Sequence, residues 1–417
     1  MQHYDVIVAG GGTAGFAAAV TAAKAGKKTL IVEEKAYLGG TATGAQISMF
    51  MGFAQGEAQA PLKGIIRDVL DRLTAEGATP GIQTIYLSGQ KELDVDVIPY
   101  ESDVLKSVID GLVCESGADV LFHTRVIGVE MDGSRITGLK IHNEEGIQTV
   151  TGDVIIDATF HGSVAVACGC AWEAGDENGV LQPGTLMYKM AGVDQERYAQ
   201  VTQKEKEELA AKGIAQGCLY VNNLLARPLP SGVLYSNMSR VKVNPLDSFG
   251  WSRAEMEGRE QIRKISRFFI ENVPGFEHAY MVSSGEFTGL RDSRRIMGQY
   301  KLTNEDVLEG RPFEDAVAQS SYPIDIHDTD GISSRVMKPR NGVFYVPYRC
   351  QITHEVSNLI LAGRCISAAY EAHACIRVMI TCMRLGEAAG LAAAESLDRG
   401  CEANALDGRI LKEKLLG

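Results

Sequence analysis

The chain has 417 residues, 45% hydrophobic and 23% charged, enough for two domains or one large domain with an insertion. Its net charge of −12 argues against nonspecific nucleic-acid binding, because the phosphates would be repelled. No apolar run is long enough to span a bilayer and no leader-like stretch precedes the first apolar run, so the expected location is cytoplasmic, with no nucleic-acid or membrane-spanning role.

Asp5-Val6-Ile7-Val8-Ala9 reads as a buried strand. It enters Gly10-x-Gly12-x-x-Gly15, then an Ala-rich helix over Phe16–Ala25 with Gly26 as its stop, then a second strand Thr29–Val32 closed by Glu33. Gly10 permits the tight turn, Gly12 lets backbone approach a pyrophosphate, and Gly15 lets helix and strand pack closely. The helix N-terminus offers unpaired N–H groups and roughly half a positive charge to phosphates. Glu33 is placed to accept hydrogen bonds from an adenosine ribose. A 2′-phosphate beside it would cost roughly 1 to 4 kcal/mol at about 4 Å, which disfavours NADP and leaves FAD and NAD open.

Further along, "LGGTATG" (38–44) is a Gly- and Thr-rich turn, and Leu62–Glu76 has helical apolar spacing. Residues 77–98 read as loop with short strands. Ser102 is the expected N-cap of a helix through Ser116. Ala118–His123 reads as a strand of the main sheet. Val126–Met131, Arg135–His142 and Ile147–Thr151 are β-rich runs, with Asp132-Gly133 a hairpin signal between the first two, and Asp153–Thr159 reads as a further buried strand. Helices are expected over Gln203–Lys212 and Arg253–Val273. Asn358–Gly363 reads as a last sheet strand, Arg364–Cys375 as a polar turn region, and Val378–Leu397 as a long small-residue helix. A sheet strand and helix that return after some 170 intervening residues, with no second GxGxxG, favour one large cofactor held by discontinuous segments.

The nine cysteines are scattered and include no Cys-x-x-Cys pair, which argues against a disulfide framework, a thioredoxin-like pair or a ferredoxin-type cluster. Cys168 and Cys170 read as small buried thiols. No HExxH, Cys cluster or GxSxG elbow supports a metal site or a serine hydrolase.

Gly10–Glu34, "LGGTATG", "DVIIDAT", the block Gly289–Gly331 and "NLILAGRCISAAYEAHACIRVMITCMRLGEAAG" together resemble the FAD-dependent oxidoreductase family of the glutathione-reductase-like flavoproteins. The resemblance implies an α/β fold: a Rossmann-like FAD-binding domain with a β-hairpin insertion, plus an inserted α+β substrate domain. Its segments would be residues 1–55, 99–174 and 346–417 for FAD, 56–98 for an insertion or cap, and 175–345 for the substrate domain. It further implies that Gly10, Gly12, Thr13, Ala14 and Gly15 hold the pyrophosphate and Glu33 the ribose. Gly40, Thr41 and Ala42 would line the ribityl chain or the isoalloxazine, Val126 would lie near adenine, and Thr159 would sit at the turn that ends "DVIIDAT". Gly363 and Arg364 would meet the phosphate and ribityl region. Met379, Ile380 and Thr381 would present helix-start N–H groups to the flavin N1–C2=O edge, where reduced flavin carries negative charge. The chain departs from its relatives in two places: Phe160-His161 replaces the usual Gly-Asp, and Ile380 replaces a Pro.

His373-x-x-x-Arg377 is similar to a segment facing flavin and substrate in fumarate reductase-type flavoproteins, implying His373 as proton-transfer partner and Arg377 as substrate anchor. Arg291, Arg294 and Arg295 would share a face if their stretch is helical, binding an anionic substrate or else pairing with acids such as Asp292. His161 is a base or a packed histidine. His327 is catalytic or fixes its loop, and Tyr370 and Glu371 are further pocket candidates. The expected function is hydride transfer between a small organic molecule and flavin N5, with a separate electron donor or acceptor; a homo-oligomer is left open. The alternatives are an NAD-linked dehydrogenase and a flavin-bearing electron-transfer or scaffold subunit of a larger complex.

Overall fold

The computed structural model describes residues 3–53, 62–87, 94–327 and 334–417. The expected boundary at residue 55 lies outside the described residues. Strand His3–Ala9 pairs in parallel with Thr29–Val32 on one side and with Gly146–Asp157 on the other. Asp119–Leu121 extends the sheet beyond Thr29–Val32, and Leu359–Leu361 pairs in parallel with the end of Gly146–Asp157. Val6, Val8, Ile31, Ile156 and Ile360 are all fully buried. Continuous apolar runs, rather than alternating ones, are what parallel strands covered on both faces require.

The runs expected as separate strands over 147–151 and 153–159 are one strand, Gly146–Asp157. No turn residues separate them, and Gly152 continues the ladder opposite Tyr4, where a Cβ would lie 2.8 Å from Ile7. The first part of this strand pairs antiparallel with Arg135–Asn143, which turns at Gly133 (φ +58°) into Arg125–Asp132. One strand thus joins the β-hairpin layer to the parallel sheet.

Helix Thr13–Lys24 packs against the long helix Met379–Arg399 with backbones almost touching. A Cβ on Gly386 would lie 2.1 Å from the Ala14 carbonyl oxygen, and one on Gly390 would lie 2.2 Å from that of Ala18. Helix Ser102–Ser116 begins as expected, but its cap position is Glu101; the Ser102 hydroxyl instead meets Ser48 Oγ at 2.8 Å. Gly289–Tyr300 is not helical: Arg294–Ile296 is a strand paired with Trp172–Ala174. The region expected as a turn after Gly363 contains the short helix Tyr370–Ile376.

Between the two sequence blocks of the parallel sheet lies a four-stranded antiparallel sheet in the order Ala226–Pro228, Leu234–Ser236, Tyr188–Ala191, Tyr280–Ser284. Helix Ser248–Asn272, capped by Asp247 accepting from the Phe249 amide, buries Gly258, Ile262, Ile265 and Phe269. These follow the three-and-four spacing of one helical face. They join Tyr188, Met190, Leu234 and Phe276 in an apolar core separate from that of the parallel sheet.

Gly386→Ala is expected to lower stability by at least about 1–3 kcal/mol, since the added methyl meets backbone that no rotamer can move. Gly12→Ala, with nothing within 4 Å of the added Cβ, is expected to leave the unfolding midpoint unchanged. Urea denaturation of the two variants checks this.

Candidate active site

Four chain segments converge at the carboxyl ends of the parallel strands. After Ala9 the chain turns at Gly10 (φ +92°) into helix Thr13–Lys24, whose cap residue Gly12 has open space beside it and no side-chain cap. The turn over 38–44 folds back on this loop: Gly39 N donates to Gly11 O at 2.8 Å, and Gly40 approaches Gly12. After Leu361, the chain turns at Gly363 (φ +79°), which lies against Ala14, and Arg364 follows it. Helix Met379–Arg399 starts here too, without a side-chain cap.

Glu33 is buried at the end of its strand. Its Oε2 accepts from Gly11 N at 2.6 Å and its Oε1 from Lys35 N at 2.8 Å. Burial pushes its carboxyl up, against these amide bonds that favour the ionised form. Thr159 donates its hydroxyl to Asp157 at 2.6 Å and accepts from Ser163 N, so it holds the turn after strand Gly146–Asp157. Val126 packs partly buried against the main core.

A cavity of about 730 Å³ opens beside these segments, within the range of small-molecule sites. Thr41, Arg364, Val378 and Met379 line one part of it, and Ile47, Met49, Met51, Met187, Leu224 and Tyr235 give it an apolar wall. Arg240, Arg291, Arg377, Tyr322, Asp325 and His327 also line it. Arg377 Nη2 donates to the Asp325 carbonyl at 2.9 Å and lies 3.9 Å from its carboxylate, which also accepts from Tyr322 Oη at 3.1 Å. Burial opposes ionisation of Asp325, but neighbouring His327, Arg377 and Arg291 overcome it and hold the carboxyl below its usual range. His327 Nε2 is 3.5 Å from Asp325; burial, helped by the Arg291 and Arg240 charges, outweighs the carboxylate and pushes the ring down to about 3.

The other expected residues are distributed as follows. Of the three arginines, Arg291 reaches the cavity, Arg295 pairs with buried Asp292 at 3.2 Å, and Arg294 lies over the Trp172 ring. They do not share a helical face, because extended chain sends successive side chains to opposite sides. His373 is fully buried and does not line the cavity: Nε2 meets the Arg364 carbonyl at 3.0 Å and Nδ1 has no partner. Burial and the cations Arg295, Arg377 and Arg364 push it well below the usual histidine range. Glu371 accepts from Asn304, away from the cavity. At the Phe160-His161 departure, the Arg364 guanidinium sits 3.9 Å from the Phe160 ring centroid, and His161 Nδ1 meets Ser293 Oγ at 2.7 Å.

A family model described as FAD dependent oxidoreductase matches residues 5–415. The chain belongs to the FAD-dependent oxidoreductase family. This resolves the dinucleotide left open by the glycine turn as FAD. Among curated relatives, digeranylgeranylglycerophospholipid reductases from Thermoplasma volcanium and Thermoplasma acidophilum are each 27% identical. These matches cover 38% and 46% of this chain and 39% and 48% of the relatives, so they span less than half of either. Among solved structures, a geranylgeranyl bacteriochlorophyll reductase-like protein from Thermoplasma acidophilum aligns over 100% of this chain and 83% of its own, with TM-score 0.51 and 17% identity. The p-nitrophenol 4-monooxygenase of Pseudomonas putida DLL-E4 aligns over 100% and 85%, with TM-score 0.52 and 10% identity. These structures share the fold.

The residues present fit FAD. The turn at Gly10–Gly15 leaves room at an uncapped helix start, Glu33 lies beneath it, and buried Thr381 Oγ1, in the first turn of helix Met379–Arg399, has no partner among the described residues. Sequence reading did not find Arg240, which meets Thr185 and Gln261, both far from it in the chain. Tyr322 and Asp325 were visible only as neighbours of His327.

Burial, and then the charges of Arg364 and Arg294, push His161 down from 6.5 to about 4. It is neutral in the fold and takes up a proton on unfolding, so the stability tied to it is complete above about pH 6.5 and is lost as pH falls toward about 4. His161→Asn, which keeps a donor for Ser293, is expected to lose less stability than the parent between those pH values; equal losses in urea unfolding would contradict this.

Proposed function

We propose that the chain passes a hydride between FAD and a small organic molecule held in the 730 Å³ cavity. One observation carries the reading: a single cavity is lined both by Thr41, Arg364, Val378 and Met379, from segments that the sequence resemblance assigns to the cofactor, and by an apolar wall with an ionised cluster. When bound, FAD supplies a two-electron acceptor or donor at N5.

The chain's own residues supply the rest. The start of helix Met379–Arg399 favours negative charge beside it through its dipole and unpaired amides. Arg377 anchors the substrate. Proton transfer is assigned to His327, which lines the cavity next to Asp325 and Tyr322, rather than to His373, whose ring is enclosed behind Arg364. The apolar wall excludes water and accepts hydrocarbon. Two relatives named for reducing a digeranylgeranylglycerophospholipid support a substrate with apolar surface and the reductive direction. Electrons come from a separate donor, since the sequence has no second GxGxxG turn.

The test is anaerobic mixing of the FAD-loaded, dithionite-reduced protein with a panel of unsaturated and carbonyl compounds, following return of the oxidised flavin absorbance. Reoxidation by a subset bearing apolar groups is expected. His327→Asn should slow it by about 10²–10⁴ with FAD content unchanged, and His373→Asn by much less. No reoxidation by any compound, with normal reoxidation by oxygen, would overturn the reading.

A further inference from the structure

Asp325 is the only carboxylate among the described residues lining the cavity, against six cationic side chains, in a chain whose net charge is −12. The imbalance is sharpest where Arg240 and Arg291 meet. Arg240 Nη1 and Arg291 Nη1 both donate to one hydroxyl, Thr185 Oγ1, at 3.2 and 2.9 Å. That hydroxyl spends its own proton on the Ser239 carbonyl at 3.1 Å, so its hydrogen-bonding capacity is filled. Two guanidiniums therefore converge on a neutral oxygen with no acid between them. Among the described residues neither makes an ion pair of its own; the nearby Asp325 carboxylate is already shared by Arg377, Tyr322 and His327.

Both arginines are more than nine-tenths buried. The remaining contacts of Arg291 and Arg240 are uncharged: Arg291 Nη1 donates to the Pro183 carbonyl at 2.6 Å, and Arg240 Nη1 to the Ser239 carbonyl at 2.8 Å and Asn237 Oδ1 at 3.1 Å. Buried guanidiniums ordinarily have their donors satisfied, yet Arg240 Nε and Arg377 Nε have no partner among the described residues. Burial followed by mutual repulsion pushes Arg291 well down and burial pushes Arg240 to about 10. Such a cluster is costly by itself and is relieved by an anion, whose oxygens a guanidinium fork matches in geometry. The apolar wall of Ile47, Met49, Met51, Met187, Leu224 and Tyr235 lines the same cavity.

We propose that Arg240, Arg291 and Arg377 form an oxyanion site and that the natural substrate is an amphiphile: a carboxylate or phosphate head on these guanidiniums, with an apolar body along the Met and Ile wall. The proposal rests on the cavity being the substrate site of the flavin. Asp325 positions Arg377, and Thr185 positions the other two.

The probes are decanoate, decyl phosphate and decanol, titrated into the FAD-loaded protein while recording melting temperature and the visible difference spectrum of the flavin. At least one of the two anions is expected to bind about tenfold or more tightly than decanol, to raise the melting temperature with concentration, and to perturb the flavin bands. The tighter of the two identifies the head group. Arg240→Gln should weaken that anion about tenfold or more without loss of FAD, with Arg240→Lys in between. Should Arg240→Gln fail to fold, Arg377→Gln serves the same comparison. Decanol binding as tightly as both anions, or anion binding indifferent to the arginine variants, would overturn the oxyanion site even if the flavin bands respond. Anion binding that depends on Arg240 but leaves the flavin bands unchanged keeps the site and overturns its connection to the flavin.

Discussion

The closeness of helix Thr13–Lys24 to helix Met379–Arg399 governs the rest of the molecule. Gly386 and Gly390 let the second backbone rest on the carbonyls of Ala14 and Ala18, where any side chain would collide. That contact ties the last quarter of the chain to the first turn of the first helix. It sets the start of helix Met379–Arg399, the turn at Gly363 and the glycine turn at Gly10–Gly15 around one space. An extended dinucleotide needs such an arrangement, with pyrophosphate at one helix start and ring at another. The parallel strands supply the common edge, since all their carboxyl ends point the same way.

The second organising feature is charge held against its own preference. The cavity collects guanidiniums in a low-dielectric setting with one carboxylate among them, and the fold keeps them there with carbonyls and a single threonine hydroxyl. Carbonyl acceptors orient a guanidinium without neutralising it. The site therefore stays electropositive although the whole protein is acidic.

Much of the parallel sheet was legible because its elements are local. The apolar run 5–9, the glycine spacing, the strand 29–32 and the small-residue helix after 378 each carry their own pattern, and the structure has them in that order. Errors arose where local signals compete with tertiary ones. Two β runs merged through Gly152, because a lone glycine does not make a turn when a neighbouring strand keeps pairing. The stretch Gly289–Tyr300 would put its arginines on one face only as a helix, and pairing of Arg294–Ile296 with Trp172–Ala174 extends it instead. The cavity was the least legible part. Arg240 meets Arg291 only because Thr185 lies between them, and three residues so far apart in sequence leave no periodic trace. His373 shows the converse: a suggestive spacing to Arg377 on a short helix, with the imidazole turned to a carbonyl.

The central claim is that the converging segments form one FAD site and that this FAD stays in place. Fluorescence titration of the apoprotein tests it most directly: FAD is added to saturation, then NADH in excess. The account predicts that FAD emission changes to an end point of one FAD per chain and that NADH does not displace it. Absence of saturable FAD binding, or displacement of FAD by NADH, would contradict it.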